Sequence, residues 1–78
     1  EGGTRMNTKL VSLLHREATA RLNAAEYELV GFTRACRGKV VDLNEMTHIR
    51  YLRDRVERAR ARQLRWTHYR FMVEAGVN

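Results

Sequence analysis

From Asp42 to Ala75 the chain runs for more than thirty residues without a proline or a glycine. Within that run Ile49, Leu52, Val56, Ala59, Gln63, Trp66, Arg70 and Val73 recur at alternating spacings of three and four. That spacing keeps one stripe of a helix turned toward a partner, whereas a strand needs alternation by two. The run therefore predicts one long helix with a narrow packing seam.

A second seam precedes it. Val11, Ala18, Leu22, Ala25, Leu29, Phe32 and Cys36 repeat in the same rhythm, with His15 filling a polar slot. Asn23 and Gly31 lie off this seam. The glycine costs about 1 kcal/mol of helix propensity relative to alanine, which weakens the helix without breaking it. Asn7 or Thr8 supplies an N-cap, and Met6 with Val11 has the spacing of a hydrophobic staple. Gly38 suits the left-handed position that ends a helix. Asp42 with Glu45 three residues later then has the logic of a capping box, and Val41 with Met46 forms the matching staple.

These signals predict a helix over about 8–37, a turn over about 38–42 and a helix over about 43–75. A connector this short forces the helices to run antiparallel. The expected fold is all-α, an antiparallel helical coiled-coil hairpin, in a single domain over 6–78. Glu1–Arg5 are read as an appended leader ahead of Met6. In the register that puts large residues opposite small ones, Phe32 meets Ile49, Leu29 meets Leu52, Ala25 meets Val56, Leu22 meets Ala59, Ala18 meets Gln63 and His15 meets Trp66. The same register sets Glu26 beside Arg53 and Glu28 beside Arg55, and it leads one to expect the His15 ring to pack on Trp66.

A chain of 78 residues seldom buries enough apolar surface to stand alone without a disulfide, a metal or self-association. One cysteine excludes an internal disulfide, and His15, His48 and His68 show no zinc-motif spacing, so no metal or other cofactor is expected. Self-association remains, and apolar residues off the seams point to it. Leu10, Leu13, Leu14, Trp66, Tyr69, Phe71 and Met72 gather at the end farthest from the turn. Two helices cannot shield so wide a stripe, and a homodimer forming a four-helix bundle would.

The net charge of +6 favours an acidic partner, either nucleic acid or an acidic protein face. Arg58, Arg60, Arg62 and Arg65 outnumber the acids near them, and the register adds Arg21 beside Arg62, with Arg16 at the edge of the band. No catalytic or small-molecule motif is present, no apolar run approaches the roughly 20 residues of a membrane-spanning helix, and no secretory leader is read, which points to the cytoplasm. The expected function is a non-enzymatic helical-hairpin module, a small adaptor or regulator that self-associates and binds an acidic partner. The alternative is an RNA- or DNA-binding protein that uses the arginine band.

Overall fold

A computed structural model describes residues 8–76 as two helices packed against each other, α1 over Thr8–Ala35 and α2 over Leu43–Glu74. The particle is a rod of 59 × 16 × 15 Å. Its outline is that of a hairpin one helix pair thick. The Asn7 cap, the Met6–Val11 staple and the Glu1–Arg5 leader lie outside the described residues.

α1 ends at Ala35, two residues short of the expected boundary, because the backbone tightens there. The Arg37 N–H donates to the Arg34 carbonyl at 3.2 Å and the Lys39 N–H to the Cys36 carbonyl at 3.4 Å, while Gly38 takes the left-handed conformation at φ +82°. A side chain at Gly38 would be strained in that conformation. α2 begins with the full capping box. The Glu45 N–H donates to Asp42 Oδ1 at 2.8 Å, and the Asp42 N–H donates to Glu45 Oε1 at 3.1 Å. At its far end Gly76 repeats the left-handed stop with φ +77°.

The two seams form the core. Val11, Ala18, Ala25 and Cys36 are buried from the first, Leu52 and Val56 from the second, and the remaining seam positions are all half-buried. Leu52 is 1% exposed and Val11 fully enclosed. Alternating alanines across the seam leave room for these larger side chains and draw the helices together. Gly31 sits in continuous helix, with nothing within 4 Å of where its Cβ would stand.

Toward the open end the seam becomes polar, and here the structure corrects two expectations. His15 does not stack on Trp66; its ring is held by hydrogen bonds. Arg70 Nη1 lies 3.3 Å from His15 Nδ1, and His15 Nε2 lies 3.0 Å from Thr67 Oγ1. The Thr67 hydroxyl is already a donor to the Gln63 carbonyl at 2.9 Å, so it accepts from the ring. Arginine can only donate, so Nδ1 accepts and the 3.0 Å contact to Thr67 fits a proton on Nε2, while the donor-only Gln63 Nε2 stands at 3.5 Å from the same ring nitrogen. Thr19 mirrors Thr67, donating to the His15 carbonyl at 2.9 Å and accepting from Gln63 Nε2 at 3.3 Å. The polar layer wins over stacking because a half-buried imidazole left without partners costs about 1–3 kcal/mol. Among the described residues no buried side-chain nitrogen or oxygen lacks a partner.

The second correction concerns the flanking ion pairs. Glu28 pairs with Arg55 at 2.6 Å as the register requires, but Glu26 reaches Arg60 at 3.0 Å instead of Arg53. Side chains on a helix tilt toward its N-terminus. In an antiparallel pair the tilts oppose, so a residue on α1 and one placed farther along α2 lean toward each other. Glu26 and Arg53 lean apart. Thr19 with Gln63, His15 with Thr67 and His15 with Arg70 are displaced in that same sense.

Leu52 faces a core with no other layer behind it, so Leu52→Ala is expected to cost about 2–5 kcal/mol. Urea unfolding followed by circular dichroism measures it; a loss below about 1 kcal/mol would place Leu52 outside the core.

Candidate anion-binding flank

An antiparallel hairpin has two flanks, one on either side of its seam, and in this chain they differ in chemistry. Arg55, Arg58, Arg62 and Arg65 follow one another along α2 at spacings of three, four and three, which lines them up as one stripe beside the seam. Arg55, Arg58 and Arg62 border a shallow groove between the helices, with Arg21 on its α1 side. Ala18, Ala25 and Ala59 line that groove, and their short side chains leave the space open. A second groove adjoins it toward the open end. It shares Ala18, Arg21 and Arg62 with the first and adds Leu14, Glu17, Arg65 and Trp66.

The arginines around these grooves are unequally compensated. Arg55 is held by Glu28 at 2.6 Å, Arg58 by Asp54 at 3.0 Å and Arg21 by Glu17 at 2.9 Å. Arg62 and Arg65 have no carboxylate within ion-pair distance among the described residues. Neighbouring helical side chains sit about 6 Å apart, where two cations in water repel by about 0.7 kcal/mol. An anion seated between Arg62, Arg65 and Arg21 relieves that repulsion. Arginine also offers it a planar fork of donors that matches carboxylate or phosphate oxygens two at a time.

The six basic residues expected to form one band are therefore divided. Arg58, Arg62, Arg65 and Arg21 stand together around the grooves. Arg60 points to the opposite flank, where Glu26 neutralises it, and Arg16 lines a separate depression with Ser12, Asn23 and the His15–Thr19–Arg70 layer. Arg55 belongs to the stripe and was missing from the expected set. Its spacing from Arg58 and Arg62 carries the signal.

The seven apolar residues at the open end are divided too. Leu10, Leu13, Tyr69 and Phe71 are exposed, whereas Leu14, Trp66 and Met72 are half-buried. Heptad position sets Leu10, Leu14, Tyr69 and Met72 on the arginine flank, Leu13 on the outer surface of α1, and Phe71 with Leu64 on the Arg60 flank. They form no single continuous patch. Trp66 meets Tyr69, with ring centroids 5.5 Å apart, and lines the second groove beside Arg62 and Arg65.

Among the described residues no group of His, Cys, Asp or Glu gathers to hold a metal ion, and no helix is long and apolar enough to cross a membrane. No protein-family model, curated protein or solved structure matches the chain.

If Arg62 and Arg65 serve a ligand and not the fold, the double variant Arg62→Gln, Arg65→Gln changes unfolding free energy by no more than about 0.5 kcal/mol. Chemical denaturation is the check, and a loss above about 1 kcal/mol would show that both side chains hold the hairpin together.

Proposed function

We propose that this chain is a non-enzymatic interaction module, a small adaptor that self-associates and docks an acidic partner along the arginine flank of α2. The observation that carries this reading is the stripe Arg55, Arg58, Arg62 and Arg65 facing Arg21 across an alanine-lined groove, with two of the five left uncompensated. On the opposite flank Arg60 is held by Glu26, while Arg50 and Arg53 have no carboxylate within ion-pair distance among the described residues; what marks the groove side is a row of four arginines beside an open groove. The groove side chains are arginines, alanines, Leu14, Trp66 and one carboxylate, Glu17, which Arg21 holds; the arginines suit carboxylates or phosphates, and the set has no hydroxyl, thiol or imidazole nucleophile.

A second reading, nucleic-acid binding, is favoured by one further feature. Trp66 stands at the end of the arginine stripe, where an unstacked base would meet an aromatic surface while its phosphates met Arg62 and Arg65.

Trp66 is the only tryptophan, so its fluorescence reports on the groove directly. The test is titration at low salt with an acidic peptide of poly-glutamate composition and, separately, with a single-stranded oligonucleotide. Saturable peptide binding that Arg62→Gln, Arg65→Gln abolishes supports the acidic-protein reading. Tighter oligonucleotide binding that quenches Trp66, with a salt slope reduced by about 1.4 in the double variant, moves the assignment to single-stranded nucleic acid. Absence of binding by both ligands removes the arginine flank as a docking site.

A further inference from the structure

Turns draw on glycine, proline, asparagine, aspartate and serine for their geometry. After Gly38 the turn of this hairpin runs Lys39, Val40, Val41, Asp42 and Leu43, with three aliphatic residues in five. Val40 is 93% exposed and Leu43 75%, the two most exposed large aliphatic side chains among the described residues. Met46, at the next turn of α2, is 51% exposed. These side chains stand at the blunt end of a rod 59 Å long, and they line neither arginine groove nor the Arg16 depression.

The charges around this end are sorted. Both acids are tied back into the fold: Asp42 and Glu45 accept each other's peptide N–H in the capping box, and the second oxygen of Glu45 takes Lys39 at 3.6 Å. Arg34, Arg37 and Arg50 are exposed and have no carboxylate within ion-pair distance among the described residues. Leu43, Met46 and Arg50 follow at spacings of three and four, so they share one face of α2. An apolar apex is thereby collared by uncompensated cations.

We propose that the turn docks on an anionic lipid surface, with Val40, Leu43 and Met46 entering the headgroup region and Arg34, Arg37 and Arg50 binding lipid phosphates and carboxylates. Charge and shape select this occupant. A convex apex encloses no peptide, whereas a lipid surface moulds around it and offers apolar depth behind an anionic layer, in the order in which the turn presents apolar and basic groups. Arg50 stands about 10 Å behind Leu43 along the helix, level with headgroups when the apex is inserted. The peptide N–H groups of Val40 and Val41 make no hydrogen bond among the described residues. Such groups do not enter hydrocarbon, so insertion stops at headgroup depth.

The contact is shallow and reversible, and the hairpin stands end-on. Arg55, where the arginine stripe begins, lies about 18 Å behind Leu43. The grooves therefore stay open to an acidic ligand while the turn is docked.

The test is co-sedimentation at low salt with vesicles of phosphatidylcholine, with and without phosphatidylserine. The chain is expected to pellet with the anionic vesicles and to stay in solution with the neutral ones. Val40→Ser with Leu43→Ser, both at exposed positions and checked for helicity by circular dichroism, is expected to weaken binding by at least about tenfold. Each cation near an anionic surface strengthens binding about fivefold, so Arg37→Gln with Arg50→Gln is expected to weaken it by about twentyfold. Trp66 reports the orientation, because it lies about 35 Å along α2 from Leu43. End-on docking leaves its emission unchanged. Binding that survives both double variants, or that shifts Trp66 emission, would place the vesicle on the arginine flank and overturn the proposal. Equal binding to neutral vesicles, or none to either, would overturn it too, and the second result leaves the turn to a protein with an acidic-rimmed socket.

Discussion

One contact holds this fold together: a single seam between two helices, with no third element behind it. Each core side chain therefore has neighbours on one side only, and the enclosed set is short, Val11, Leu52 and Val56 with three small residues. Alanine on the seam is what makes so thin a core workable. It lets the helix axes approach until the few large side chains are fully covered, and it leaves the grooves between helices that the arginines border. The property that stabilises the hairpin and the property that suits it to anions have one origin.

The seam also changes character along its length. Its turn-proximal half is apolar, and its open half is threaded by His15, Thr19, Gln63, Thr67 and Arg70, which are hydrogen-bonded to one another. An apolar seam tolerates sliding by a heptad, since one Leu or Ala replaces another. A polar layer does not, because a slip parts each donor from its acceptor. Division of labour follows: the apolar half supplies burial, the polar half fixes register, and the flanks are released for charge.

Much of this was legible in the residues. The heptad spacing named every seam position, Gly38 and the Asp42–Glu45 pair located the turn, and Glu28 found Arg55. What was not legible depended on direction. A register read with side chains perpendicular to the axis sets Glu26 beside Arg53 and His15 beside Trp66, where the tilt gives Glu26 to Arg60 and the His15 ring to Thr67 and Arg70. The candidate site suffered in a related way. Nearness in sequence groups Arg60 with Arg62 although they occupy opposite flanks, and it joins Phe71 and Leu10 at one end although their heptad positions face different flanks. Sorting by heptad position separates both sets without any structure. The polar partners of His15 needed the geometry, because several residues within reach compete for one ring.

The opposed tilt of the side chains has a consequence for chain polarity itself. In an antiparallel pair, tilts toward each N-terminus make the cross-helix ion pairs converge, while in a parallel pair all side chains slant one way and the same acids and bases gain no reach. Glu26 with Arg60 and Glu28 with Arg55 thus act as an orientation code written on the helices and not in the loop. Severed between Gly38 and Val41, the two segments would still carry the instruction to meet head to tail. The turn then supplies proximity, and the direction of assembly is stored in the helices it joins.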